Sequence, residues 1–466
     1  MSSSTVSSLL NVGATGLRAQ SVAVNVTSQN LTNVQTEGYT RRNVLMDPLQ
    51  GPPDGGGGVI ARGSLRIVDQ YVERRWLGAI SEKAGAEASL QLSSRIDEVL
   101  SDSSGNVGQA LDAFRAAVRD VSVNPSDTGA RQVMLSRAES VASTFRNAET
   151  RIEESRDEAD RRMADAIAQA NAIASEISQL SQQISRSEAS GNEASDLRDR
   201  RDQRIRELGK IVPITAVTAE QGRITVLLAG REPIIAADGA ISPLKAVPDA
   251  TTGRIRVERT AAGAPMDVTS WLNGAGSLGG LVEARDGALA SAQTSLDQLA
   301  FDFANAYNTV QTAGFGLDGV SGRKLFDVSA TATGAASSIA LSVDVAGFPD
   351  RIGAASTAAT VPGDNRNALD LAALETATVM SGGETVDGAL GALITSGGLS
   401  VQAARDEVDA RSAVEAQAKA ARDSISGVNS DDEMVALTQY QRAYEAATKV
   451  VQTADEMLQT LLQLKR

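Results

Sequence analysis

The sequence predicts a mainly α chain with a β insertion, an α+β multidomain protein whose terminal helices form an α-helical coiled coil. Three observations lead to this class. Long stretches at both ends and in the middle repeat apolar residues at helical spacing, with few glycines or prolines. Short apolar runs separated by turn residues follow position 213 and indicate an outer antiparallel β-containing domain. The 466 residues exceed one ordinary core, so roughly two to four domains are expected.

Residues 1–45 are expected to form an N-terminal assembly helix that runs from about Ser4 to Val34. Apolar residues recur every seven positions along it, and small or polar residues between them permit close approach of a second helix. The ends of a long chain can meet because loop entropy grows slowly with length, but a weak seam needs further contacts from neighbouring subunits. The recurring apolar residues are Leu10, Leu17, Val24 and Leu31.

Residues 46–212 are expected to form the first part of a long-helix domain. A strand signal at 59–68 precedes its first long helix. Glycine is scarce over 127–208, which predicts long antiparallel helices joined by a turn at Gly191-Asn192. The charged run at 198–206 is interpreted as a solvated helix face.

After residue 212 the chain is expected to alternate between outer and helical segments. Residues 339–345 have a strand-like pattern, and Gly397 and Gly398 are expected to break a helix. Both termini then return to one end of the molecule. In order, the segments are an outer β-rich insertion at 213–275, a helical return at 276–325, an outer mixed segment at 326–383 and a last helical part at 384–427.

Residues 428–466 are predicted to form a C-terminal assembly helix. The stretch from Asp431 to Arg466 contains neither glycine nor proline. Its apolar residues follow alternating steps of three and four, the seam of a helix that packs on a partner helix. A terminal helix docked on its own domain is the plainer interpretation, and the periodicity fits both. The seam residues are Leu437, Tyr440, Tyr444, Ala447, Val451, Ala454, Leu458 and Leu461.

Several patterns imitate catalytic or ligand-binding motifs. Residues 274–279 match G-x-G-x-x-G, but the segment before them is a poor buried strand, so we interpret them as the turn that begins a helix. Asp431, Asp432 and Glu433 fit helix capping or solvation better than a cation site. Without histidine or cysteine, Ser-His, metal-His and thiol chemistry are excluded. The sequence therefore predicts no enzyme, no catalytic or metal-binding residues and no cofactor.

Composition narrows the choice of partners. The chain has 44 Lys and Arg against 58 Asp and Glu, a net charge of −14. This charge argues against nucleic acid or an anionic membrane as the main partner. No apolar stretch approaches the ~20 residues of a membrane span, and the first ten residues lack the basic and apolar regions of a cleaved signal peptide.

Motifs at both ends resemble the bacterial flagellar axial proteins. The N-terminal pattern is N-x-x-N-[IV] followed by G-Y, and residues 426–462 are similar to the closing helix of the same superfamily. Gly-Tyr-Thr-Arg at 38–41 and Gln-Tyr-Gln-x-Ala-Tyr at 439–444 resemble the hook-associated protein 1 family more than the rod and hook proteins. The matching N-terminal residues are Asn30, Asn33, Val34, Gly38 and Tyr39.

The resemblance implies a structural subunit of the flagellum at the hook–filament junction. It implies a secreted protein, transiently cytoplasmic, that leaves through the flagellar type III apparatus with its N-terminus uncleaved. Its partners would be copies of itself in a ring or helical layer, the hook protein, the next junction protein, and an export chaperone on the C-terminal helix. The resemblance and the apolar seams of the two terminal helices together predict an assembly interface. Its residues are Leu10, Leu17, Val24, Leu31, Asn30, Asn33, Gly38, Tyr39, Leu437, Tyr440, Tyr444, Val451, Leu458 and Leu461.

Two alternatives remain open at this point. One is another flagellar axial protein, such as the hook or distal rod protein, against which the motifs at 38–41 and 439–441 argue. The other is a secreted binding module or hydrolase whose activity lies in the β insertion. A cleft of converging carboxylates in that insertion would favour the second alternative, whereas an exposed insertion without a deep pocket would favour a structural role.

Overall fold

Long helices run through most of the chain and carry short sheets on their outside. The computed structural model is 66% helical, and its strands form small antiparallel sheets, which confirms the mainly α fold with β insertions. It describes residues 3–50, 57–100, 106–189, 191, 193–219, 222–260 and 265–464.

Helix boundaries follow capping residues in the sequence. The Asp127 carboxylate accepts a hydrogen bond from the Gly129 amide, and the Thr385 hydroxyl accepts one from the Gly388 amide. Such oxygens satisfy amides that the first helical turn leaves free. The helices are α1 (Ser3–Thr32), α2 (Gln70–Leu100), α3 (Val107–Val123), α4 (Thr128–Glu188), α5 (Ser195–Ile211), α6 (Gly276–Glu283), α7 (Ala290–Ala313), α8 (Ala335–Ser338), α9 (Arg366–Ala373), α10 (Val386–Ser426) and α11 (Ser430–Leu464).

The strands pair with close neighbours in sequence. The hairpin of β1 and β2 lies beside α1, with Arg42 opposite Arg66. Two three-stranded sheets have the orders β3-β4-β5 and β6-β7-β8, and β9 pairs with β10. The strands are β1 (Arg42–Pro48), β2 (Val59–Arg66), β3 (Ile214–Thr218), β4 (Ile224–Leu228), β5 (Glu232–Ile235), β6 (Leu244–Pro248), β7 (Ile255–Arg259), β8 (Met266–Asp267), β9 (Phe326–Asp327) and β10 (Ala340–Leu341).

The core of the body lies where α3, α4 and α7 meet. Phe114, Phe145, Phe303, Tyr307 and Phe326 are fully buried there. The Phe114 ring meets the Tyr307 ring edge-on, with centroids 5.0 Å apart, a geometry that adds to the free energy of burial. Burial raises the pKa of Tyr307 to about 12. A chain with few aromatic residues thus concentrates them at one helix crossing.

Helix α4 connects the body to the β-rich insertion at 213–275. Its 61 residues turn one face to the aromatic core and further along meet the sheet of β6. The Asn171 side chain donates to the Leu244 carbonyl at 2.8 Å and accepts from the Leu244 amide at 2.9 Å. Gly191, in the predicted turn after α4, has φ +90°, whereas Asn192 lies outside the described residues. The insertions therefore extend from rigid helices.

Two expectations about local structure are wrong. Helix α10 continues through Gly397 and Gly398 without a break. A glycine inside a helix lowers helix stability by only about 1 kcal/mol relative to alanine. Gly397 is also buried. The segment 339–345 contributes only the two residues of β10 and then turns, as the amides of Val345 and Ala346 both bond to the Ser342 carbonyl.

The G-x-G-x-x-G segment at 274–279 begins a helix, as expected, and also permits close packing. Helix α6 begins at Gly276, whose φ is +68°. A Cβ on Gly280 would overlap the carbonyl oxygen of Gly85 in α2, and a Cβ on Gly85 would overlap that of Gly274. The glycines therefore let two backbones touch where side chains would separate them.

Substituting alanine on α2 tests this close approach. We expect Gly85→Ala to destabilise the body by ~1–3 kcal/mol or more, since the new Cβ meets rigid backbone. Gly78→Ala on the same helix is the control: no atom lies within 4 Å of its new Cβ, so the change should stay within about 1 kcal/mol. Denaturant unfolding followed by fluorescence of Trp76 and Trp271 measures both. Equal midpoints for the two variants would contradict backbone contact between α2 and α6.

Candidate functional site

The terminal helices α1 and α11 pack against each other in antiparallel orientation. A Cβ on Gly13 would lie 2.6 Å from Val451 Cγ2, and one on Gly16 would lie 3.6 Å from the Ala447 Cβ. Further along, the Asn30 side chain reaches Glu433. Glycines at the contact let the two helices approach closely, as small residues do at other tight helix pairs.

Glycines between the predicted leucines of α1 lie against α11. Gly13 is three residues after Leu10 and four before Leu17, so it shares their side of the helix. The four stripe residues Leu10, Leu17, Val24 and Leu31 are half-buried. The side chains and glycines of α1 that are buried are Val6, Gly13, Ala19, Ala23, Val26, Thr27 and Asn30.

The contact face of α11 follows its predicted seam more closely. Ala454 is fully buried, whereas Tyr444 is 43% exposed. Leu437, Tyr440, Val451, Leu458 and Leu461 are half-buried. Further apolar side chains of this helix are exposed: Met434, Val435, Val450 and Leu462. The pair therefore carries apolar surface that a single chain covers only in part.

The side-chain amide of Asn30 joins the two ends of the chain through hydrogen bonds. Its Nδ2 donates to the Arg42 carbonyl and to Glu433 Oε2, each at 2.9 Å. Its Oδ1 accepts from the Tyr39 hydroxyl at 2.9 Å and from the Arg42 amide at 3.1 Å. All four hydrogen-bonding positions of the amide are thus used inside the protein. Burial raises the pKa of Tyr39, which keeps this donor protonated.

Glu433 completes the junction from α11. It is 2% exposed, and its Oε1 accepts from Arg41 Nε at 2.7 Å. Our interpretation of Glu433 as a solvated or capping residue is therefore wrong. Its carboxylate binds Asn30 and Arg41, which are supplied by the N-terminal motif. No signal in the sequence distinguishes it from its exposed neighbours Asp431 and Asp432.

Asn33 and Gly38 shape the turn between α1 and β1. Asn33 Nδ2 donates to the Gln29 carbonyl at 2.9 Å, which satisfies an acceptor at the end of α1. Gly38 has φ +82°, in the left-handed region that favours glycine. The N-x-x-N and G-Y parts of the motif thus end the helix and return the chain towards Asn30.

A charged layer fastens this turn to the body. Arg42 Nη2 lies 2.5 Å from Asp196 and 3.2 Å from Asp199 of α5. Arg66 of β2 lies 2.9 Å from Asp199 and 2.5 Å from Asp202. Burial would raise the pKa of Asp202, but the charges of Arg66 and Arg201 hold it below its usual value.

The charged run 198–206 is thus not a solvated face, contrary to our interpretation. Arg201 is 2% exposed and Arg206 9% exposed. Asp196, Asp199 and Asp202 are spaced three residues apart, which lines up their carboxylates on one face of α5 towards the arginines of β1 and β2. The contact depends on Arg42 and Arg66, which lie more than 100 residues before α5, so the run alone does not indicate it.

The described residues show no sign of a metal centre or membrane segment. No group of three or more Asp, Glu, His or Cys side chains in the described ranges is arranged to hold a metal ion. None of the helices in the described part of the chain combines the length and apolar character needed to cross a membrane.

Comparison with known proteins identifies the family. The family model described as the helical domain of the flagellar hook-associated protein FlgK matches residues 93–326, half of the chain. The chain belongs to the FlgK family. Two other models match the ends: the flagella basal body rod protein at 10–40 and the C-terminal region of the basal body rod proteins FlgEFG at 421–464. These two ranges contain most of α1 and all of α11.

Curated relatives and a solved structure agree with the FlgK family. Flagellar hook-associated protein 1 of Salmonella typhimurium is 27% identical over 331 residues, which cover 69% of this chain and 60% of the relative's length. The Bacillus subtilis protein of the same name is 26% identical over 97% of both chains. The FlgK hook junction protein of Burkholderia pseudomallei has a TM-score of 0.68 at 16% identity, covering 76% of this chain and 100% of that one, which shows the shared fold.

Removing the Glu433 carboxylate tests the junction. Glu433→Ala leaves Arg41 and one Asn30 donor without their partner, so we expect local opening to become easier by about 1–3 kcal/mol. Hydrogen exchange should accelerate at the end of α1 and the start of α11, while the body remains protected. Glu445→Ala, at an exposed position of the same helix, is the matched control. Unchanged exchange in the Glu433 variant would show that the junction does not hold the helices.

Proposed function

We propose that this FlgK-family chain is a structural subunit of the flagellum that connects hook and filament and assembles through its terminal helices. The observation that carries the proposal is the antiparallel pair of α1 and α11. It coincides with the two ranges that match rod-protein models, and its apolar stripes are incompletely covered. Exposed apolar surface of this extent on paired helices favours association with other subunits.

The assembly interface that we propose combines seam and junction residues. The half-buried side chains meet neighbouring copies in a ring or helical layer, while the junction residues hold the pair at a constant angle to the body. The hook protein and the next junction protein bind above and below the layer. The residues are Leu10, Leu17, Val24, Leu31, Asn30, Asn33, Gly38, Tyr39, Leu437, Tyr440, Tyr444, Val451, Leu458 and Leu461.

We also propose an arrangement of the domains around this layer. The segments 1–45 and 428–466 form the inner coiled coil, and the helical parts at 46–212, 276–325 and 384–427 surround it. The outer segments at 213–275 and 326–383 face outward. Because the terminal helices join the body through one junction, the insertions extend away from the inner layer. Export through the flagellar type III apparatus, with a transient cytoplasmic stage, precedes assembly.

The two alternatives are less well supported. The match of 93–326 to the FlgK helical domain favours a hook-associated protein over a hook or distal rod protein. For a hydrolase, the nearest candidate is a groove between α4, α7 and the β6–β7 turn that contains Glu153 and Asp157. Arg254 of that turn pairs with both carboxylates, at 2.9 Å for Asp157. Carboxylates paired in this way serve as structural anchors.

Deleting the gene and restoring it tests the proposed function directly. We expect the deletion strain to form hooks without filaments, and the wild-type chain to restore both filaments and swimming. Electron microscopy of isolated flagella and a motility assay measure the two. Normal filaments in the deletion strain would overturn the proposal.

A charge on the α11 seam should prevent incorporation without unfolding the body. In Leu458→Asp, a carboxylate would have to be buried between subunits without a partner, which costs several kcal/mol. Gln459→Asp, at the next and exposed position, is the control with the same added charge. We expect the first variant to be absent from isolated flagella and the second to be present, with equal thermal unfolding of the body. Incorporation of Leu458→Asp would show that the seam does not face a neighbour.

Before export the same stripe needs a cytosolic partner, for which the family resemblance suggests a chaperone. An amphipathic helix binds in an apolar groove through anchors on one face. We expect a peptide from Asp431 to Arg466 to bind a small helical cytosolic protein, and replacement of Tyr444, Val451 and Leu458 by alanine to remove most of the affinity. Alanine at the exposed Gln452, Gln459 and Gln463 is the matched control. Calorimetry measures the binding. Equal binding by both variants would show that the stripe serves subunit packing and does not bind the chaperone.

A further inference from the structure

A groove lies beside the junction of the terminal helices with the body. It has a volume of about 660 Å³ and is enclosed by residues 33–39, α2, α5 and α10. Val428, two residues before α11 begins, lines its edge. The groove therefore opens at the level where α11 leaves the body.

Arg206 of α5 lines this groove in an unusual state. The residue is 9% exposed, and its guanidinium carbon lies 5.1 Å from the centroid of the Trp76 ring. The nearest carboxylate, that of Glu73, is 3.8 Å from Nη1. Within the described part of the chain, the Arg206 guanidinium donates no hydrogen bond. Burial lowers the pKa of Arg206, with Glu73 opposing the effect.

The neighbours of Arg206 keep its donors open to the groove. Trp76 is held from the other side, since its Nε1 donates to Glu415 at 2.8 Å. Gly38 stands over the guanidinium, and a Cβ there would come within 3.0 Å of Nη2. A guanidinium has five N–H donors. None of the Arg206 nitrogens is a fully buried atom without a hydrogen bond, so the unused donors face the groove, where an acceptor from outside the chain can reach them.

The charges around the groove favour a carboxylate as that acceptor. A guanidinium binds a carboxylate with two parallel hydrogen bonds. Of the acids that line the groove, Glu415 accepts from Trp76, Glu207 from Arg204 at 2.5 Å and Asp423 from Arg422 at 3.0 Å. At the rim, Lys210 and Lys419 form no ion pair in the described ranges. These two lysines therefore outnumber Glu37, the remaining acid of the described lining.

The start of α11 in a neighbouring copy carries suitable groups. Asp431 and Asp432 are exposed in its first turn, only three and four residues after Val428. In a layer of copies packed side by side at equal height, these acids would face the groove of the next copy. Met434 and Val435 beside them are each 57% exposed, and Val34 at the groove is 41% exposed.

We propose that Arg206 receives a carboxylate from a neighbouring copy of this chain, and that Asp431 and Asp432 supply it. The proposal rests on the proposed function, since it requires copies assembled side by side. It identifies one contact of that assembly. Gly38 and Trp76 hold the receiving arginine in position, which adds a second use for the Gly-Tyr motif.

Engineered cysteines provide the direct test, because the natural chain has none. Lys210 and Asp431 are exposed, so Lys210→Cys and Asp431→Cys should leave the fold intact. The two single variants are produced together in the deletion strain, and isolated flagella are oxidised. We expect a dimer on a non-reducing gel from the mixture and none from either variant alone. A disulfide within one chain cannot form in this mixture, so a dimer reports two copies.

The outcomes separate this contact from the proposed function. Filaments that contain both variants but give no dimer would overturn the contact and leave the junction role intact. Failure of the wild-type chain to restore filaments would overturn both.

Charge reversal gives a second readout. Asp431→Lys with Asp432→Lys should lower incorporation at least about tenfold, since each lysine then faces Arg206. Asp406→Lys with Asp409→Lys, an equal charge change at exposed positions of α10, should incorporate normally. Normal incorporation of the first pair would contradict the assignment of these acids.

Discussion

The buried amide of Asn30 connects segments that are otherwise far apart in the sequence. It bonds to Glu433, 403 residues away, and to the backbone and side chain of the turn that follows α1. A buried amide tolerates few other arrangements, because each unmet donor or acceptor costs about 1–3 kcal/mol. The register of α1 against α11 and the direction in which β1 leaves therefore depend on one side chain. The glycine contacts along the rest of the pair follow from that register.

The charged layer below the junction performs a different task from the amide. Arg42 and Arg66 reach from the hairpin to three carboxylates of α5, and Arg422 of α10 lies 3.1 Å from Glu73 of α2. Paired charges at a domain junction add directional preference more than net stability, since desolvation offsets much of their attraction. The body thus holds the terminal pair at a defined angle. The proposed layer of copies would require such a constant angle.

The sequence predicts the helices of this chain well and the contacts among them less well. First-turn caps such as Asp127 and Thr385 act locally, so α4 and α10 begin where their residues indicate. The contact face of α1 depends instead on where its partner lies. Gly13, between two heptad leucines, lies against Val451, yet Ala23 and Val26 off the leucine stripe are buried as well. Likewise Glu433 has the same residue type as many exposed acids, and only Arg41 and Asn30 distinguish it.

Small residues at the contact of α1 with α11 have a physical consequence. If Leu10, Leu17 and Val24 filled the contact with α11, the pair would bury its own apolar surface and offer little to other copies. Glycine and alanine at the contact bury little apolar surface themselves and let the helices approach closely. The larger side chains then remain half-buried at the side of the pair. In the layer of copies proposed above, each added copy would cover more of this surface. Side chains that a single chain covers only in part would then contribute burial energy to the assembly.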